Sequence, residues 1–265
     1  MGSKEFRTQL LIQKLTKIFQ NHYSENCKNL LDIPLKKVLV IAPHADDEVI
    51  GCGAAIDYFI KNNIEVYVLI VTQEADKSIA KKYNYTPQQR VQESIEAQKI
   101  LGYENLIYFD YPELGFKENQ QVKTSFYNQL DALLCEIEPQ CIFLPNTKEM
   151  HPDHKAIGEI SQNLIADAKV NNKYNFLKYL FIYEVWGPIY MNAYLEVSEE
   201  TKQKKEQSIL CYKSQLSSID YLQIMNFIGT FRATVLNKIK NKKSNLVEGY
   251  TLFLEHQLST IKNNV

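Results

Sequence analysis

The sequence predicts an α/β fold: a mostly parallel sheet flanked by helices, with its chemistry at the carboxyl ends of strands. Three observations carry that expectation. Short apolar runs without polar alternation recur along the chain, as strands buried on both faces do. Helix-patterned stretches lie between them, which argues strand–helix–strand units with right-handed crossovers. The chemically distinctive residues follow two of the runs directly, where ligands bind in open sheets of this kind.

Taken in order, residues 4–24 set Phe6, Leu10, Leu11, Leu15, Ile18 and Phe19 at helical spacing. An amphipathic helix laid on the body is expected within an N-terminal extension over residues 1–35. Strands are expected at 38–42, 64–71, 106–109, 141–144 and 180–186. Helices are expected at 54–62, 87–101 and 126–137, with Pro87 suited to a first turn and Gly102 to a stop. Residues 74–86 are polar and patternless, so a mobile loop is expected there. From Glu199 onward the chain reads as mostly helical. With no repeat and no Pro/Gly-rich linker, a single domain over 1–265 follows.

Composition narrows the function classes. At 265 residues, 45% hydrophobic, 23% charged and a net charge of -1, this is an ordinary globular chain. No basic stripe marks it for nucleic acid. Lys202, Lys204, Lys205, Lys238, Lys240, Lys242 and Lys243 read as solvated faces. The five cysteines are odd in number and none has CxxC spacing, so neither a disulfide framework nor a zinc ribbon is expected. No apolar run approaches the ~20 residues of a membrane span, and no stretch has signal-peptide form. The start Met1-Gly2-Ser3 resembles a myristoylation site but has Phe6 where Ser or Thr belongs. A cytoplasmic protein is expected, with homo-oligomer formation left open.

After the first strand comes Pro43-His44-Ala45-Asp46-Asp47-Glu48, and after the fourth Asn146-Thr147-Lys148-Glu149-Met150-His151-Pro152-Asp153-His154. Three of the chain's five histidines lie in these segments; His22 and His256, near the termini, read as surface or packing residues. A catalytic zinc site needs three imidazole or carboxylate ligands and one open position. His44 and Asp47 are three residues apart, as are His151 and His154, so each pair can face one way. Ordinary loop residues, with Asp46 or Asp153 as helix caps, are the alternative at this point. Gly51-Cys52-Gly53 suggests a dinucleotide fingerprint, but its third glycine would fall at Ile56. No Gly-x-Ser-x-Gly elbow supports serine catalysis.

Ala42-Pro43-His44-Ala45-Asp46-Asp47-Glu48 followed by His151-Pro152-Asp153-His154 resembles the PIG-L/LmbE-like zinc deacetylases. Arg90, Glu93, Ala97 and Leu101-Gly102 are similar to that family's helix after the second strand. Glu184-Val185-Trp186-Gly187-Pro188, Lys204 and Tyr212-Lys213-Ser214-Gln215 are similar to its C-terminal part, so the resemblance spans residues 36–235. It implies a Rossmann-like sheet and hydrolysis of N-acylated glucosamine compounds by zinc-activated water. It implies His44, Asp47 and His154 as zinc ligands, Asp46 as general base, and His151 stabilising charge at the reacting carbonyl. Asp153 would orient a histidine, and Glu48 would support the site or simply charge a helix start. Arg90, Trp186 and Tyr212 are the candidate substrate contacts, with an Arg90 salt bridge to Glu93 or Glu96 as the alternative. Other divalent ions can replace zinc in such a site. Glu149 and Met150 stand where many relatives carry Gly or an aromatic, and the tyrosine that assists catalysis in some relatives is missing there. The alternatives are a non-catalytic carbohydrate-binding protein of the same fold, or a zinc amidase with a non-sugar substrate.

Overall fold

The computed structural model of the protein describes residues 27–73, 85–187, 189–216 and 220–255. The expected N-terminal helix, all but the last two residues of the expected loop, His22 and His256 lie outside them. The strands are β1 (Lys28–Asn29), β2 (Lys37–Ala42), β3 (Glu65–Thr72), β4 (Asn105–Tyr111), β5 (Cys141–Pro145), β6 (Tyr179–Tyr183), β7 (Ala193–Glu196) and β8 (Val247–Glu255). The helices are α1 (Asp47–Lys61), α2 (Pro87–Leu101), α3 (Gln120–Ile137), α4 (Pro152–Val170), α5 (Glu199–Ile209), α6 (Lys213–Leu216) and α7 (Tyr221–Lys240).

The strands form one sheet in the order β1-β7-β8-β6-β5-β2-β3-β4. Pairings among β6, β5, β2, β3 and β4 are parallel, whereas β8 runs antiparallel to both β6 and β7. Side chains alternate across a strand, and here both faces are buried. Val38, Val40 and Ala42 of β2 join a core with Val49, Ile56 and Phe59 of α1 and Leu101 of α2. Leu39 and Ile41 join the opposite core, with Phe126, Leu130 and Leu134 of α3 and Ile157 and Leu164 of α4. From β2 the chain winds outward to β3 and β4, then crosses back to β5 on the other side. The crevice between β2 and β5 is therefore the topological switch point, and both His-bearing segments follow these two strands.

The mostly parallel α/β sheet expected from the apolar runs is present. Several bounds differ, each for a physical reason. The first helix starts at Asp47 rather than residue 54, because Gly51 and Gly53 sit inside it instead of ending it. A Cβ on Gly51 would lie 2.2 Å from the Tyr183 ring, and one on Gly53 2.9 Å from the Lys205 stem. These glycines allow close packing. The third helix starts at Gln120, where the Asn119 side chain accepts the N–H groups of Gln121 and Val122. The fifth expected strand stops at Tyr183 instead of 186. The Val185 and Trp186 N–H groups bond to the Glu149 carboxylate instead of a neighbouring strand. The C-terminal stretch is not helical throughout, since β8 inserts between β6 and β7. Gly102 does end α2, at φ 89°.

Two lysines read as solvated are not. Lys205 is buried against Glu248, and Lys204 Nζ reaches the buried Asp57 at 2.8 Å. A second buried pair pins α7 to the end of β6. Arg232 donates to both Glu184 oxygens, at 2.9 and 2.6 Å, and to the Ile189 carbonyl at 3.0 Å. Removing one partner of such a pair strands a buried charge and typically costs about 3–5 kcal/mol. Arg232→Met is expected to lose stability on that scale in urea denaturation, and a loss under 1 kcal/mol, within the range of ~0–1 kcal/mol for exposed pairs, would contradict the burial.

Candidate metal centre

The loop after β2 turns directly into α1. Asp46 takes the N-cap position at φ 127°, a region that costs an L-residue strain, while its carbonyl accepts Val49 and Ile50 N–H groups. That backbone sends the adjacent carboxylates in different directions. Asp47 Oδ2 lies 3.3 Å from His44 Nδ1 and 3.1 Å from His154 Nε2. Asp46 Oδ2 instead lies 3.4 Å from Arg90 Nη2.

From the other side, His151 caps α4, its Nδ1 accepting the Asp153 N–H at 3.3 Å. His154, one turn into α4, places Nε2 3.1 Å from His44 Nδ1. Asp153 Oδ2 accepts the Leu114 N–H at 2.7 Å and lies 3.3 Å from His44 Nε2. A proton on His44 Nε2 facing that carboxylate leaves Nδ1 as the acceptor pointing inward. His151 has the opposite arrangement: an accepting Nδ1 puts the proton on Nε2. His151 Nε2 is 3.9 Å from Glu113 Oε1, and its side chain is 26% exposed.

Burial dominates the electrostatics and is then opposed locally. Burial alone would raise the Asp47 carboxyl, but His154 and His44 together hold it well below the usual carboxylate range. Burial likewise opposes ionisation of Asp153, and the bond with His44 lowers it. His151 is pushed down to about 4, first by burial and then by His44 and His154. Glu48 is raised to about 7 by burial, against the bonds donated by Tyr212 and the Asp46 N–H.

The donor set fits a metal ion. His44 Nδ1, His154 Nε2 and Asp47 Oδ2 are three acceptors 3.1–3.3 Å apart. Ligands about 2.0–2.2 Å from a tetrahedral ion stand about 3.4 Å apart. His44, His151 and His154 also form a group whose ring nitrogens lie within 4.8 Å of one another and could hold a metal ion. The structure thus brings His44, Asp47, His151, Asp153 and His154 together.

The other candidates lie further out. Arg90 is buried; it donates to the Ala45 carbonyl, approaches Ser214 Oγ at 3.4 Å and stands 3.9 Å from Glu93. Tyr212 is wholly buried with its hydroxyl on Glu48, so its ring offers no face to a substrate. Both support the Asp46–Glu48 turn from behind. Trp186 is partly buried, its ring 5.5 Å from that of Tyr221. Sequence reasoning missed Glu149, whose carboxylate holds the Trp186 loop, and Glu113 and Leu114, which reach the histidine cluster after β4. Glu149 stood out only as a departure from the family pattern, and Glu113 and Leu114 gave no signal.

Residues 39–165 match the PIG-L family profile, described as GlcNAc-PI de-N-acetylase. Diacetylchitobiose deacetylase of Thermococcus kodakarensis is 24% identical over 143 residues, 52% of this chain. The match spans about half, 52%, of that relative's own length. The N,N'-diacetylchitobiose deacetylase of Pyrococcus horikoshii, solved with an inhibitor, superposes with TM-score 0.65 at 19% identity, over 100% of this chain and 99% of its own. The 4-carboxy-2-hydroxymuconate hydratase GalB of Pseudomonas putida KT2440 superposes with TM-score 0.68 at 15% identity, over 84% and 98%. The profile spans both histidine-bearing segments of the cluster. Residues 39–165 of this chain carry a PIG-L family domain, and the chain is similar to the PIG-L/LmbE-like deacetylases.

Proposed function

We propose that the protein is a zinc-dependent N-deacetylase of an N-acetylglucosamine-containing glycan, glycolipid or glycoconjugate. The observation that carries this is the trio of His44 Nδ1, Asp47 Oδ2 and His154 Nε2 at the switch point, within 3.3 Å of each other. These residues would hold the ion, which when bound supplies Lewis acidity and makes water more acidic. Asp46, turned away from the ligands, takes the proton of the water that attacks the amide carbonyl. His151 donates from Nε2 to the carbonyl oxygen as negative charge builds on it. Asp153 fixes the His44 ring. The amine leaves once protonated, and acetate is the other product.

The sugar comes from the family and its chitobiose-deacetylating relatives. The hydratase of the same fold is a reminder that architecture alone does not choose the reaction. Purified zinc-loaded protein should release amine slowly from free N-acetylglucosamine and faster from N-acetylglucosaminides bearing an aglycone, because contacts remote from the reacting bond raise kcat. Acetyl-lysine peptides should be turned over far less well. A preference for such peptides over every N-acetylglucosaminide would remove the sugar and leave a zinc amidase. Zinc binding with no turnover of any amide would favour a carbohydrate-binding protein.

A further inference from the structure

The α1 helix carries a splice behind the proposed site. In a regular helix the Ile50 carbonyl and the Ala54 N–H form one rung of the ladder. Here each is reached by a side chain. Lys205 Nζ of α5 donates to the Ile50 carbonyl at 2.8 Å. Glu248 of β8 accepts the Ala54 N–H at 2.8 Å through Oε1 and the Ala55 N–H at 2.9 Å through Oε2. Lys205 and Glu248 also pair with each other, and Tyr250 donates its hydroxyl to Glu248. Both charged groups are buried. Gly51 and Gly53 lie between the two spliced groups and admit the Tyr183 ring and the Lys205 stem.

The turn on the N-terminal side of this splice bears Asp46, Asp47 and Glu48. Its direction is set by β8 and α5 as well as by the helix's own hydrogen bonds. We infer that Glu248, together with Lys205, is a positioning residue that holds Asp46 and Asp47 in register with His44 and His154. This rests on the reading of His44, Asp47 and His154 as metal ligands. Neither Lys205 nor Glu248 touches those residues, so the effect passes through the α1 backbone. Supporting groups around metal ligands typically carry about 10–100-fold in metal affinity or activity.

Cobalt titration of metal-free protein, followed by its visible absorption, reads the site without needing turnover. Glu248→Gln keeps the shape and loses the charge, and is expected to weaken cobalt binding about tenfold and alter the spectrum. Where a substrate is turned over, kcat should fall with KM within about twofold, because only the reacting geometry is disturbed. Lys205→Met should act in the same direction from the other end of the splice. Asp57→Asn is the control, since Asp57 lies further along α1 and pairs with Lys61 and Lys204. It should lower thermal stability and leave cobalt affinity unchanged. Unchanged cobalt affinity in both Glu248→Gln and Lys205→Met, or an equal loss in Asp57→Asn, would overturn the inference. Failure of the unaltered protein to bind cobalt would instead overturn the ligand reading.

Discussion

An Asp46→Asn protein is expected to retain its full complement of zinc and lose about 10²–10⁴ of kcat, the usual worth of a general base. Two neighbouring carboxylates that look alike in the sequence are asked to do different things. The structure gives the reason: Asp47 Oδ2 sits against His44 and His154, whereas Asp46 Oδ2 faces Arg90. An amide oxygen in place of Asp46 Oδ2 can still accept the Arg90 bond, and Asn matches Asp in size, so the strain already carried at φ 127° is not increased. The loop should therefore keep its shape while losing its proton acceptor. Elemental analysis and steady-state kinetics on the same preparation check both halves. Zinc lost from Asp46→Asn as completely as from Asp47→Asn would show that the roles have been divided wrongly.

The parts of this site that could be read from sequence are those fixed by local chemistry. Val38 to Ala42 and Cys141 to Leu144 announce buried strands because no polar residue interrupts them. The rule that ligands gather at strand ends then points to His44 and His151 directly. What could not be read depends on contacts between distant segments. Gly51 and Gly53 look like breakers because propensity penalises glycine in a helix, yet here they let Tyr183 and Lys205 pack closely. Lys205 reads as a solvated charge because Glu248 is 43 residues away in sequence. Tyr212 reads as a candidate substrate contact until its hydroxyl is found on Glu48, 164 residues away. β8 was missed for the same reason: its place between β6 and β7 comes from tertiary pairing, in a region whose nearer residues are helical. Glu149 shows the converse case. Its departure from the family pattern was visible, but its role in holding the Trp186 loop needed the fold.

His154→Ala and His44→Ala are each expected to abolish stoichiometric zinc binding, with activity falling to background. Each removes one of three acceptors from a buried cluster, leaving two where a catalytic site needs three. The loss should exceed the ~10–100-fold typical of removing a supporting hydrogen bond. Stability offers a second readout. A ligand at 100 times its Kd stabilises a folded protein by about 2.7 kcal/mol, so added zinc should raise the melting temperature of the unaltered protein and not that of His154→Ala. His151→Ala decides between the two donor sets within the cluster. If Asp47 completes the set with His44 and His154, His151→Ala keeps its zinc and its zinc-dependent stabilisation. Its kcat then falls by about 10²–10³, as when one donor to a developing oxyanion is removed. If the three histidines are the ligands, His151→Ala loses zinc and Asp47→Ala keeps it. Full zinc in both His44→Ala and His154→Ala would sink either assignment, because these two residues are common to both sets.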